Sequence, residues 1–266
     1  MENRAVQVIE KLMPHWSLAG VEVCEFLPGG YSNLNYRVVY QNEQFALRIT
    51  PEKTRTAEQY SREAAYLAQL PEGLATQTVA FDSTQGHMLS KWIEGTLLID
   101  FWAGEDVEAL AAYLTELHQS LPPTSWTYDV NAVIESFSGT APEPPFEPER
   151  IVVCHNDLNP WNIIVTADGH WTTLDWEMVG RNDPLFDLVT LHQGLELPET
   201  TLMPLAELYL GVPPNPHSVL AVLKTFWLRE WAWAKHQLAV GNTRQEIIDQ
   251  VADAKMKLAA IPALRL

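Results

Sequence analysis

The sequence is short of cysteine, of basic side chains and of long apolar runs. Its two cysteines, Cys24 and Cys154, lie in apolar strand-like stretches and form neither a metal-spaced cluster nor a disulfide framework. Reduced, buried thiols in a cytoplasmic protein are the expectation. Lysine and arginine number 17 against 34 aspartates and glutamates, a formal net charge of -17. That imbalance argues against a nucleic-acid surface, which needs clustered Lys and Arg against the phosphate backbone, and favours a cationic small molecule. No uninterrupted apolar stretch reaches the length of a membrane helix, so membrane insertion is not expected. The opening MENRAVQVIEKLMPHW carries acidic residues and no continuous apolar core, unlike a signal peptide. No internal repeat, low-complexity segment or signal for an oligomeric state is visible.

What is present suits a folded chain. At 266 residues and 47% hydrophobic composition the sequence can build a sizeable core as one large domain or two lobes. Ten tryptophans point either to aromatic-rich packing or to a binding site made of rings. Apolar spacing predicts a helix over Arg4 to Met13, and alternation predicts strands over Val21 to Leu27, Tyr36 to Tyr40 and Phe45 to Ile49. A helix follows over Thr56 to Leu70, then short strands over Thr78 to Phe81 and His87 to Trp92, then an amphipathic helix over Glu105 to Gln119. Residues Leu121 to Arg150, rich in proline and acidic residues, read as an irregular connection with one short helix. Beyond Gly180 to Pro184, a predicted turn, the pattern is helical: from Asp187, from Thr200 to Leu210, from His217 to Val240, and from Thr243, where Thr243 and Glu246 fit a capping box.

The chemistry concentrates in His155 to Glu177, HNDLNPWNIIVTADGHWTTLDWE. The apolar strand Ile151 to Cys154, a polar loop, the strand Ile163 to Val165, an Asp168-Gly169 turn and a further strand ending at Asp175 form a hairpin signal. Asp157, Asn162 and Asp175 can then converge on one point. Phosphoryl transfer from ATP needs one carboxylate to orient the attacking hydroxyl and accept its proton, plus an amide and a second carboxylate to hold Mg²⁺ against the phosphates. Asp157 is the candidate base, Asn162 and Asp175 the candidate metal ligands, and the spacing Asp-x4-Asn with a later Asp matches a kinase catalytic loop. His155 is read as structural. Two rival readings use the same residues: a metal-dependent hydrolase with His155, Asp157 and Asp175 as ligands, for which the scattered histidines are a poor match, and a catalytically silent ATP-binding module.

HNDLNPWNII and LDWE resemble the signature of the choline kinase, thiamine kinase and aminoglycoside phosphotransferase superfamily, with Cys154 to Leu158 especially similar to the choline kinase form. The resemblance runs from about Phe26 to Trp233. It implies an α+β, two-lobed, protein-kinase-like fold: a small antiparallel-sheet N-lobe over residues 1–92 and a mainly helical C-lobe over 93–266. It implies that the Gly29-Gly30 turn, with Ser32 and Asn33 at its tip, is the nucleotide loop. Arg48 stands where a protein kinase carries its ATP-binding lysine. Glu63 resembles the helix glutamate that pairs with that cation, with Glu58 as a rival. The backbone around Lys91 and Trp92 would meet the adenine edge, and Asp187 would brace the catalytic loop, unless it is simply a carboxylate at a helix N-terminus. His118 matches a position where the family often has histidine, and a packing role suits it as well.

Acceptor choice falls to the helical half. Trp227, Trp231 and Trp233 crowd one helix around Glu230 and Arg229, while Trp161, Trp176 and Glu177 neighbour the catalytic residues in sequence. Aromatic faces with a carboxylate suit a quaternary ammonium or thiazolium cation, and tryptophans at helical spacing also suit a core. Glu177 resembles the acidic residue that faces choline in choline kinases. The expected reaction is transfer of the γ-phosphoryl group to the primary hydroxyl of a small cationic alcohol of the choline or thiamine class, with an aminoglycoside as the alternative acceptor.

Overall fold

The computed structural model describes residues 2–27, 33–51, 55–104 and 106–263. In chain order it contains α1 (Glu2–Leu12), β1 (Val21–Leu27), β2 (Leu34–Tyr40), β3 (Glu43–Ile49), α2 (Ala57–Leu67), β4 (Thr78–Phe81), β5 (Met88–Lys91), β6 (Thr96–Leu97), α3 (Leu98–Phe101), α4 (Val107–Ser120), α5 (Val130–Ser138), β7 (Val152–Cys154), β8 (Ile163–Val165), β9 (Trp171–Thr173), β10 (Gly180–Asn182), α6 (Pro184–Gly194), α7 (Leu202–Leu210), α8 (Pro216–Ala239) and α9 (Gln245–Ala260). Two compact units result, Met1–Leu98 with Asn162–Glu177, and Ile99–Trp161 with Met178–Leu266.

The first unit is built on an antiparallel sheet of order β1-β2-β3-β5-β4. Alternation along β2 and β3 turns Tyr36, Val38, Phe45, Leu47 and Ile49 to one face, where Ala5, Val8 and Ile9 of α1 cover them. The β2–β3 connection is two residues long because Gln41 and Asn42 both take left-handed angles, φ 50° and 68°. Helix α2 starts at a capping box: Thr56 Oγ1 accepts from the Gln59 N–H at 3.2 Å, and Gln59 Oε1 accepts from the Thr56 N–H at 2.8 Å. A second sheet of order β6-β8-β9 carries the predicted hairpin. Gly95 leads into it, and only glycine fits, since a Cβ there would stand 2.4 Å from Ile164.

In the second unit, β7 does not extend that hairpin. It pairs antiparallel with β10, Cys154 opposite Gly180 and Val152 opposite Asn182. The predicted turn at Gly180 to Pro184 is therefore a strand followed by a helix cap. Gly180, Arg181 and Asn182 include no large apolar side chain and so show no apolar period, and the strand exists because both its edges are paired. Arg181 bonds Trp126 and Tyr128 on the other side, at 2.7 and 3.0 Å. Asp183 then caps α6 through the Leu185 N–H at 3.0 Å, with Pro184 as the first helical residue. The capping box predicted at Thr243 and Glu246 does not form. Arg244 is the N-cap of α9, extended at φ -61° and ψ 145°, and no side chain caps the helix. Cys154 is free and buried. Among the described residues no helix is long and apolar enough to cross a membrane.

Candidate active site

In the first unit, five charged side chains are linked in a chain of ion pairs running from Asp175 through Arg48, Glu63 and Arg55 to Glu177. Arg48, on β3, is 7% exposed at its side chain and pairs with Glu63 of α2 at 2.7 Å and with Asp175 at 3.3 Å. Glu63, 1% exposed, gives its other oxygen to Arg55 at 2.7 Å. Arg55 reaches on to Glu177, to the carboxylate at 3.3 Å and to the carbonyl at 3.1 Å, and Glu177 lies two residues beyond Asp175. Burial alone would lower the pKa of Arg48, but Glu63, Asp175 and Glu177 together outweigh it and the net shift is upward. Glu177 is pushed up to about 8 by burial and then by Asp175, against the pull of Arg55 and Arg48. Glu58 is exposed on α2, so Glu63 is the partner of the strand arginine.

The turn before β5 holds Arg48 in place. The Gly86 carbonyl accepts from Arg48 Nη2 at 3.3 Å and from Thr50 Oγ1 at 2.8 Å. Gly86 has φ 75°, and a Cβ on it would lie 2.3 Å from the Tyr60 ring.

Asn162 and Asp175 stand at the same end of the β8–β9 hairpin, because the Leu174 N–H donates to the Asn162 carbonyl at 2.7 Å. Asp175 occupies the left-handed region at φ 57° and leaves 30% of its side chain exposed. An amide oxygen and a carboxylate already facing a cation are the hard donors that suit magnesium, so the chemistry of this pair fits that ion.

The remaining residues expected at the nucleotide divide between the site and the core. Asn33 is buried, and Gly29, Gly30 and Ser32 lie outside the described residues. The Lys91 N–H donates to Gln77 at 2.9 Å and the Trp92 N–H to Gln44 at 3.1 Å. These two N–H groups of the segment expected at the adenine edge are bonded within the unit. The Lys91 ammonium pairs with Glu43. Trp176 is corrected from substrate contact to core: it is 2% exposed, bonded through Nε1 to the Thr173 carbonyl at 3.1 Å and packed 6.3 Å from Tyr66.

In the second unit, the loop after β7 is organised by Asp187 from α6. Its carboxylate, fully buried, accepts from the N–H groups of His155 and Asn156, each at 2.7 Å, and pairs with His118 Nε2 at 3.0 Å. Burial alone would raise its pKa; the His118 bond and charge outweigh that and hold it below the usual carboxylate value. Asn156, at φ 67°, donates to the carbonyls of Cys154, Met178 and Gly180 and accepts from Asn182 at 2.8 Å. His155 Nδ1 accepts the Asp157 N–H at 3.3 Å, so this ring nitrogen braces the loop. His118, Cys154 and Asp187 also cluster within 4.8 Å, but the histidine nitrogens and both aspartate oxygens are occupied by these bonds and by Tyr209. Out of this locked loop the Asp157 side chain emerges 40% exposed.

The tryptophans of α8 do not form an open cage. Trp227 is 8% exposed, with Nε1 donating to Gln193 at 3.1 Å, and belongs to the core. Trp231 is half-buried beneath Lys235, whose Nζ sits 4.3 Å from the ring centre. Glu230 pairs with Arg229 at 2.7 Å and accepts from Gln250 at 2.8 Å. Trp161 is 54% exposed. Arg55 and Asn156 are residues of this candidate site that motif reading did not single out. Asn156 alone carried a signal, since asparagine is among the few residues that tolerate a left-handed backbone.

The sequence profile of the phosphotransferase enzyme family matches residues 23–127 and 132–222. Protein LicA of Haemophilus influenzae is 25% identical over 219 residues, 71% of this chain; the match spans only 63% of that protein's own length. Among solved structures, choline kinase LicA from Streptococcus pneumoniae superposes with a TM-score of 0.75 at 19% identity, covering 98% of this chain and 99% of the other. A LicA solved in complex with AMP gives 0.74 at 18% identity, with 98% of each chain covered. The fold is the protein-kinase-like one of choline kinase, with an antiparallel sheet in the N-terminal part and a helical C-terminal part.

Proposed function

The chain belongs to the phosphotransferase enzyme family, and from that premise we propose that it transfers the γ-phosphoryl group of ATP to the primary hydroxyl of a small alcohol, as choline and ethanolamine kinases do. A cationic alcohol of the choline or thiamine class is the acceptor favoured by the formal charge of -17. The observation that carries the reading is Asp157: its carboxylate stands 40% exposed on a loop whose preceding backbone N–H groups, at His155 and Asn156, are held by Asp187. Asp157 would accept the hydroxyl proton as the oxygen attacks the γ-phosphorus. Arg48, held by Glu63, would grip phosphate oxygens of the nucleotide. Asn162 and Asp175 would hold magnesium, whose contribution when bound is to neutralise charge on the phosphates. The complex of a relative with AMP supports the nucleotide part of this reading.

Choline, ethanolamine, thiamine and an aminoglycoside, each incubated with ATP and magnesium, should separate the cases. ADP release with a phosphorylated product from one class is expected. Silence from every alcohol would overturn the proposal.

A further inference from the structure

Resting on the phosphotransferase reading, we infer that Arg229 of α8 is a positioning residue for Asp157, aiming its carboxylate at the acceptor hydroxyl. The guanidinium is 8% exposed and lies between two rings, 5.0 Å from the centre of Phe186 and 5.6 Å from that of Phe226. Flanked in this way, its plane has little freedom. Nη1 donates to the Asn156 carbonyl at 2.6 Å, while Nη2 reaches Asp157 Oδ1 at 3.5 Å and Glu230 Oε1 at 2.7 Å. Nε donates to Glu230 at 2.9 Å, and the Tyr128 phenol lies close enough to interact electrostatically with the guanidinium.

One group thus holds both the backbone just before Asp157 and the carboxylate itself. The bonds supplied by Asp187 and by the Asn156 amide end on backbone atoms or on Asn182; Arg229 reaches the side chain that must point at the substrate. A cation withdrawn from water persists only where its donors are satisfied. Lysine could not reproduce this arrangement, because one ammonium lacks the planar fork that serves Asn156, Asp157 and Glu230 together.

The test uses the full chain, with Arg229→Lys and Tyr128→Phe. Arg229→Lys should lower kcat for the best alcohol of the panel about 10- to 100-fold while ADP affinity and KM for ATP stay within about twofold. Hydrogen exchange at the amides of residues 155–159 should quicken by about tenfold or more in the same variant. An unchanged kcat, or equal losses of kcat and ADP affinity, would overturn the assignment. If Arg229→Lys does not fold, Tyr128→Phe decides: a fall in kcat with ADP affinity kept supports the role, and an unchanged kcat overturns it. If the wild-type chain phosphorylates no alcohol, the phosphotransferase reading is what fails. The exchange measurement then judges Arg229 alone, faster exchange supporting it and unchanged exchange refuting it.

Discussion

Asp157 and Glu63 carry opposite kinds of risk, one open and chemical, the other buried and electrostatic. Replacing Asp157 with Asn removes the proton acceptor but leaves Arg48, Glu63 and Asp175 untouched. Turnover should fall by about 10²- to 10⁴-fold, with ADP binding measured by calorimetry unchanged; retained turnover would remove Asp157 as the base. Glu63→Gln acts on the fold. Its carboxylate, 1% exposed, neutralises both Arg48 and Arg55, so the variant leaves two guanidiniums short of a partner. A loss of about 3 kcal/mol in urea unfolding is expected, together with a higher KM for ATP. Arg55 escaped motif reading for a physical reason. It lies outside any strand or helix, and only the approach of Glu177 to α2 shows what it does.

At the scale of elements, the turn joining β4 and β5 and the buried helix α6 can each be probed by one change. A methyl group on Gly86 would meet the Tyr60 ring at 2.3 Å and strain a backbone at φ 75°. Gly86→Ala should therefore cost roughly 1–3 kcal/mol and weaken ATP binding, since the Gly86 carbonyl anchors Arg48. His192 of α6 is fully buried, and burial holds its pKa down to about 4 against an ordinary 6.5. The unfolded chain takes up the proton at the higher value and the folded chain only at the lower. Stability is therefore full above pH 6.5 and drains away as pH falls towards 4, by up to roughly 3 kcal/mol. Urea midpoints of wild type and His192→Gln compared between pH 7 and 4.5 should show the wild type losing more; parallel curves would refute this.

Across the whole molecule, charge dominates. A formal -17 implies self-repulsion that salt relieves as the screening length shrinks from about 30 Å at 0.01 M to about 8 Å at 0.15 M. The thermal midpoint should rise by roughly 2 °C or more over that range, and a fall in a calorimetric scan would contradict it. The five strands of the first sheet, the helices α1, α2, α4 and α8, and the β8–β9 hairpin were legible from the sequence, because periodicity and turn residues are local properties of the chain, whereas the two-residue strand β6 was not. So was the pairing of Arg48 with a glutamate of α2, through family resemblance, with the structure choosing Glu63 over Glu58. Three features could be decided only by tertiary structure. Strand β10 owes its existence to pairing with β7 on one edge and Trp126 and Tyr128 on the other. Trp227 faces the core although its spacing to Trp231 suits a cage equally well. Arg229, one residue among those tryptophans, lies between Phe186 and Phe226 with its donors on Asn156 and Asp157, some seventy positions upstream. Sequence determines which face of a helix is apolar, but the partner of each side chain on that face depends on which distant segment folds against it.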